Sequence, residues 1–134
     1  MEIPISRDPQ ELIAEIAKEG GRAKVRSGGI SQEAFPSSSE LARFMTRCSE
    51  AKTAFKATAG LHHPVRSVRR LTYEPDSPFG VMHGFLNVFL AAAWIDNGMD
   101  AEQAIELLEE TKGAFKSQTL GDLRRQLELL LKHV

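Results

Sequence analysis

An α/β fold built on a small parallel sheet is what this chain predicts, and three observations carry the expectation. Short segments of alternating apolar and polar residues, too brief for helices, recur at residues 2–5, 22–26 and 53–58. Between them lie two amphipathic stretches of helical period, which sets the order strand, helix, strand, helix, strand of parallel βαβ units. At 134 residues, 42% hydrophobic and 26% charged, the chain has the size and composition of one soluble globule. Residues 1–134 are therefore read as a single α/β domain.

The elements follow in order. Ile3 and Ile5 alternate with Glu2 in the first strand. Asp8 as N-cap and Pro9 at the first helical position open a helix with Leu12, Ile13, Ile16 and Ala17 on one face, and Gly20-Gly21 stops it. A second strand ends at Ser27-Gly28-Gly29. A helix begins near Pro36 to Ser39, carries Leu41, Phe44, Met45 and Cys48 at helical spacing, and ends about Ala51 or Lys52. The third strand runs to Thr58. Pro64, Pro75 and Pro78 and the lack of periodicity make residues 60–82 a long connection over the sheet, of the kind that often carries function. An apolar helix runs from Gly84 to about Asn97-Gly98, with Phe89 and Trp94 expected in the core. Asp100 caps a further helix, with Gln103 placed for a capping box, reaching about Thr111. A last amphipathic helix is expected over residues 120–132. That is three strands and five helices.

Three parallel strands are few for a sheet, and an open edge invites pairing. The expected resolutions are part of a TIM-type barrel, further strands near residues 71–73, or pairing of the edge with a second copy; a homodimer is preferred.

With 17 basic and 18 acidic side chains the charge nearly cancels, so no overall field draws the chain to nucleic acid or to an anionic membrane. The longest apolar stretch falls short of a membrane span and no leader is visible, so a cytoplasmic location is expected. The lone Cys48, on the apolar stripe of its helix, reads as a small buried thiol. No cofactor signature is present.

A parallel sheet covered on both faces reads as continuous apolar runs, so the regular polar positions need an explanation. If the apolar sets pack under helices, then Glu2, Lys24, Arg26, Lys56 and Thr58 share the opposite face, which is either wet or lines a cavity. Glycines just beyond both charged strands, Gly28 and Gly29 after Ser27 and Gly60 after Ala59, would let backbone approach an anion. Lys24, Arg26, Ser27, Gly28, Gly29, Thr58 and Gly60 are thus candidate ligands for phosphate or carboxylate. Lys56 beside Lys24 is a candidate Schiff-base amine, because a neighbouring cation favours the neutral form; the alternative is that both lysines pair with Glu2 or hold the anion as charges.

His62 and His63 are candidate proton carriers beside Lys56, or anchors of the loop. Adjacent residues in an extended chain point apart, so the two would not share a metal without His83 or Glu74, and no metal site is expected. His83 stands at a helix N-terminus, which favours anions, and Asn87 one turn on either faces the site or meets backbone in the core.

Residues 23–29 and 55–64, with Lys56-Ala57-Thr58-Ala59-Gly60-Leu61-His62-His63, and residues 83–91, with Gly84-Phe85-Leu86-Asn87-Val88, resemble the C-terminal portion of a family of uncharacterised bacterial proteins of α/β barrel-like body. The resemblance covers most of residues 1–112 and departs from Lys116 onward. It implies a partial barrel and brings no established activity. A looser likeness is to class I aldolases of the deoxyribose-phosphate type: Lys56-Ala57-Thr58-Ala59-Gly60 echoes their Schiff-base strand, and Lys24 through Gly29 echoes a second lysine strand ending Ser-Gly-Gly. That likeness implies lyase or aldolase chemistry at Lys56. The expected function is binding of a small anionic metabolite at the strand C-terminal ends, with a non-catalytic assembly module pairing through its sheet edge as the competing class.

Overall fold

The computed structural model describes residues 2–115 together with Gly121, Arg124, Arg125 and Glu128, and within them the architecture is α/β. Strand β1, Ala23–Arg26, runs parallel to β2, Phe55–Thr58, with Ala23 opposite Phe55 and Arg26 opposite Thr58. Residues 2–5 flank the other side of β1 through a parallel bridge between Glu2 and Lys24, and the Ile3 N–H donates to the Lys24 carbonyl at 3.0 Å. Two helices supply the crossovers. Helix α1, Gln10–Lys18, buries Ile13 and Ile16, and the Asp8 carboxylate accepts from the Gln10 N–H. Helix α2, Ser38–Glu50, opens with a capping box: the Glu40 N–H donates to the Ser37 hydroxyl and the Ser37 N–H to the Glu40 carboxylate, an arrangement worth about 1 kcal/mol. Asp8 also holds Arg47 through two hydrogen bonds of 2.7 and 3.0 Å, tying the start of α1 to the end of α2.

Helices α3, Phe85–Asp96, and α4, Ala101–Leu108, complete the layer. One core joins Ile3, Ile5, Ala23 and Val25 of the sheet to buried residues of all four helices, and Phe55 and Ala57 pack against it. Phe44 of α2 meets the Phe55 ring edge-on at 5.2 Å. The helices therefore cover one face of the sheet, as the alternation predicts. Cys48 is buried in this core, where desolvation and then Asp96 push its thiol up to about 12, so it is an inert core residue.

The long connection contains structure that periodicity did not predict. Strand β3, Ser67–Arg70, pairs antiparallel with β4, Phe79–Met82, Ser67 opposite Met82 and Arg70 opposite Phe79. Its strands are short and mostly exposed, and their apolar support comes from elsewhere: Leu71 and Met82 close over Phe35, which follows the 3₁₀ turn Gln32–Ala34. The described strands make two separate two-stranded ladders, and no closed barrel is present among the described residues. Four helices are described rather than five; the helix expected over 120–132 lies outside the described residues except for four positions. Helix α4 stops at Leu108 rather than Thr111, and at its end the Asn87 amino group donates to the Leu107 and Glu110 carbonyls at 2.9 and 2.8 Å. Phe89 is 64% exposed instead of core, since α3 is apolar nearly all round and turns Val88, Leu90, Ala91 and Ile95 inward.

Among the described residues the sheet keeps a free edge. The Ala54 and Thr58 carbonyls accept from the Ala23 and Ser27 N–H groups, so the peptide groups of Phe55 and Ala57 point outward from β2, where no backbone partner stands among the described residues. At the opposite edge Pro4 faces outward and lacks an N–H, which blunts pairing there.

At their C-terminal ends β1 and β2 come together without side chains between them. A Cβ on Gly28 would lie 2.7 Å from the Gly60 Cα and 2.5 Å from the Phe35 ring, so only glycine fits. Gly28→Ala should lower the free energy of unfolding by about 1–3 kcal/mol through overpacking, read from urea denaturation; an unchanged midpoint would show that the ring and the strand ends move apart freely.

Candidate functional site

The register of β1 and β2 places Lys24 beside Lys56 and Arg26 beside Thr58, and the bridge places Glu2 beside Lys24. The five polar residues thus share the face away from the helices. Their charges are partly spent on one another. Glu2 receives Lys24 Nζ at 2.9 Å and lies 3.8 Å from Arg26 Nε; the Lys24 hydrogen bond is the main cause that holds the Glu2 carboxyl below its ordinary range. The Thr58 hydroxyl donates to the Val25 carbonyl at 3.4 Å. Lys56 is exposed and has no ion pair among the described residues.

Beyond the strands, the residues expected to cradle an anion are used in packing. Ser27 is fully buried, and its hydroxyl donates to the Ala59 carbonyl at 2.6 Å with the Thr58 carbonyl at 3.1 Å. Gly28 and Gly60 are buried against each other, and a Cβ on Gly29 would meet Ala34. The physical reason for glycine here is close approach of chain to chain. Ala59 and Gly60 both have positive φ, 65° and 76°, a reversal that only glycine adopts without cost; it turns the chain away from the sheet and delivers Leu61, His62 and His63.

His62 and His63 converge with residues of the hairpin that the sequence left unassigned. A cleft of about 520 Å³ is lined by His62, His63, Arg69, Arg70, Leu71, Thr72, Tyr73 and Met82. Among the described residues no carboxylate lines it. Arg69 keeps its Nε–H on the Ser67 hydroxyl at 3.1 Å, and Arg70 stacks over the Phe79 ring at 4.5 Å while one amino group donates to the Ser77 carbonyl. Desolvation first, then the charges of Arg69 and His62, holds the His63 imidazole below its ordinary 6.5. Lys24, Arg26 and Lys56 do not line this cleft. The pair Arg69-Arg70 was the available signal, hidden because the hairpin around it has no apolar alternation.

Two candidate ligands of α3 prove structural. Asn87 is fully buried, its carbonyl oxygen accepts the Arg66 N–H at 3.0 Å, and its amino group donates to the carbonyls of Leu107 in α4 and Glu110 just beyond it, so the whole amide is satisfied by backbone. The helix N-terminus is likewise taken: the Phe85 and Leu86 N–H groups donate to the His63 and Pro64 carbonyls, which leaves neither for an anion. His83 is buried at 3% exposure, and Nε2 lies 2.6 Å from the Pro36 carbonyl, to which it must donate. Desolvation is the first cause lowering its pKa, so the ring is neutral, and Nδ1 is buried without a partner among the described residues.

Among the described residues no group of three or more His, Cys, Asp or Glu is placed to hold a metal ion, and no helix is long and apolar enough to cross a membrane. No family model matches the chain, and no curated protein or solved structure matches it.

The lowered His83 pKa has a defined sign. The unfolded chain binds this proton more readily than the native state, so the contribution is complete above the ordinary 6.5 and is lost as pH falls through the lower native value. Unfolding free energy should decline from about pH 7 to about pH 5, and the decline should be shallower in His83→Leu although that variant is less stable throughout. Parallel slopes in the two proteins would show that His83 protonates without penalty in place.

Proposed function

We propose that the protein binds a small anionic metabolite, carrying a phosphate or carboxylate, in the cleft beyond the C-terminal end of β2. The observation that carries the reading is the lining itself: among the described residues, His62, His63, Arg69 and Arg70 meet in one concavity with no carboxylate among its walls. Among the same residues only the Arg69 Nε–H is bonded, to Ser67, which leaves its other N–H groups for a ligand, and an anion brought beside His63 would favour its protonated form, adding a second charge at the moment of binding. The position fits the general rule that open parallel sheets bind ligands outside the carboxyl ends of their strands.

This reading moves the anion from the strands to the loop and hairpin. Lys24 and Arg26 face Glu2, which offsets their field, whereas no carboxylate among the described residues pairs with Arg69. A catalytic version would instead seat a carbonyl-bearing ligand on the strand face, where Lys56, with Lys24 beside it in the register, supplies the amine of a Schiff base and the carbonyl oxygen leaves as water. Borohydride trapping of an adduct on Lys56 is the test of that version.

Binding is expected to raise the thermal midpoint, by an amount equivalent to about 2.7 kcal/mol at a hundredfold excess over Kd. Arg69→Gln should weaken it about tenfold or more, since hydrogen bonds to charged groups contribute about 1.5–3 kcal/mol. Lys56→Met should leave it unchanged. Affinity should rise as pH falls toward the His63 pKa, because protonated His63 is the binding form. Calorimetric titration with inorganic phosphate and simple carboxylates checks all three. Loss of binding in Lys56→Met but not in Arg69→Gln would return the site to the strands.

A second reading is favoured by the peptide groups of Phe55 and Ala57 on the β2 edge, which have no backbone partner among the described residues, with Phe89 exposed on α3. Here the chain is an assembly module that adds a strand at that edge, with a second copy as the preferred partner. Light scattering over a wide concentration range should then report a mass above the monomer that Ala57→Pro, which removes an edge N–H, returns to the monomer; a monomer throughout would eliminate self-pairing.

A further inference from the structure

The lining of the histidine–arginine cleft is of two chemistries, and this limits the ligand more narrowly than its charge does. Arg69 carries a cation, with His62 and His63 as ring N–H donors, whereas Leu71, Tyr73 and Met82 are apolar or aromatic. Leu71 and Met82 are themselves buried in the small core under Phe35, so they form a fixed floor, whereas the Tyr73 ring stands wholly exposed beside it. Tyr73 belongs to the connection between β3 and β4, which the Ser77 hydroxyl braces by accepting the Thr72 N–H at 2.9 Å. Exposed large apolar side chains concentrate here: Val68, Tyr73 and Phe79 are all on the hairpin, and of these Phe79 is covered by the Arg70 guanidinium while Tyr73 has no ring or cation partner among the described residues.

Size points the same way. At about 520 Å³ the cleft is of the class that holds a molecule of nucleotide dimensions, and a bare phosphate would leave most of it to water. Building on the anion-binding reading above, we propose that the cleft takes a phosphate monoester with a planar aromatic group, the phosphate between His62, His63 and Arg69 and the ring against Tyr73 over Leu71 and Met82. A phosphate suits His62, His63 and Arg69 because its several oxygens can be shared among one guanidinium and two imidazoles, whereas a single carboxylate serves fewer donors. An aromatic group suits Tyr73, Leu71 and Met82 because it stacks on tyrosine and tolerates an open, half-wet wall that an aliphatic tail would not fill.

Calorimetry on the full chain with four probes tests this: inorganic phosphate, phenyl phosphate, a nucleoside 5′-monophosphate and the corresponding nucleoside. The two aromatic monoesters should bind about tenfold or more tighter than inorganic phosphate, and the nucleoside much more weakly. Tyr73→Ala, a substitution at a fully exposed position, should erase the advantage of the aromatic esters and leave inorganic phosphate unchanged. Arg69→Gln should weaken every phosphate-bearing probe. If inorganic phosphate binds and the aromatic esters bind no tighter, the aromatic inference is overturned while the anion site stands. If the nucleoside binds as tightly as its monophosphate, it is overturned because the ring rather than the phosphate selects the ligand. If no phosphate-bearing probe binds, the anion reading falls and takes this inference with it.

Discussion

The structure depends on a parallel sheet that can bury only one of its faces. Ile3, Ile5, Ala23, Val25, Phe55 and Ala57 turn toward four helices and form one core, and every other residue along the same strands turns away. Because side chains alternate strictly along a strand, a slip of one residue would place Lys24, Arg26 and Lys56 under the helices. The register is therefore held by the cost of burying charge as much as by apolar contact. One consequence is the polar face with Glu2 set between Lys24 and Arg26. Another is an outer edge of β2 whose peptide groups have no backbone partner among the described residues.

From that frame the position of the cleft follows by close packing. Gly28 meets Gly60, the Phe35 ring covers both, and the Ser27 hydroxyl ties β1 to the carbonyls that end β2. The left-handed pair Ala59-Gly60 then reverses the chain, and His62 and His63 emerge beyond the sheet. Phe35 does two things at once, since its ring also roofs Leu71 and Met82 and so anchors the hairpin that brings Arg69 and Arg70. The carbonyls of His63 and Pro64 cap α3, which fixes the histidine segment from its other side. The histidines and the arginines are thus supported by two different small packing units that share one aromatic ring.

Charge distribution separates the sheet face from the cleft. Around Glu2 the cations are paired or have a carboxylate at hand, and the face is close to neutral for a ligand approaching it. Among the described residues no carboxylate lines the cleft at His63, whose pKa is lowered by desolvation first and then by the charges of Arg69 and His62. An anion gains more where it replaces missing carboxylates than where it competes with one already present.

Much of the framework was legible from residue pattern alone, because strand alternation, helix caps and glycine stops are local. The three parallel segments, the starts of all four described helices within a residue or two, the buried Cys48 and the common face of Glu2, Lys24, Arg26, Lys56 and Thr58 can be read in this way. His62 and His63 also stood out as a pair. The hairpin at 67–82 could not be read, since Ser67-Val68-Arg69-Arg70 has no buried face of its own and is held by Phe35, more than thirty residues earlier in the chain. Nor could the role of Gly28, Gly60 and Asn87, because a glycine needed for close approach and one offered to a ligand look alike until a neighbour is seen. Local periodicity decides which elements form and which face they bury; the partners of each polar group, and hence which cations stay free to meet an anion, are set by contacts between residues far apart in sequence, which only the packed chain brings together.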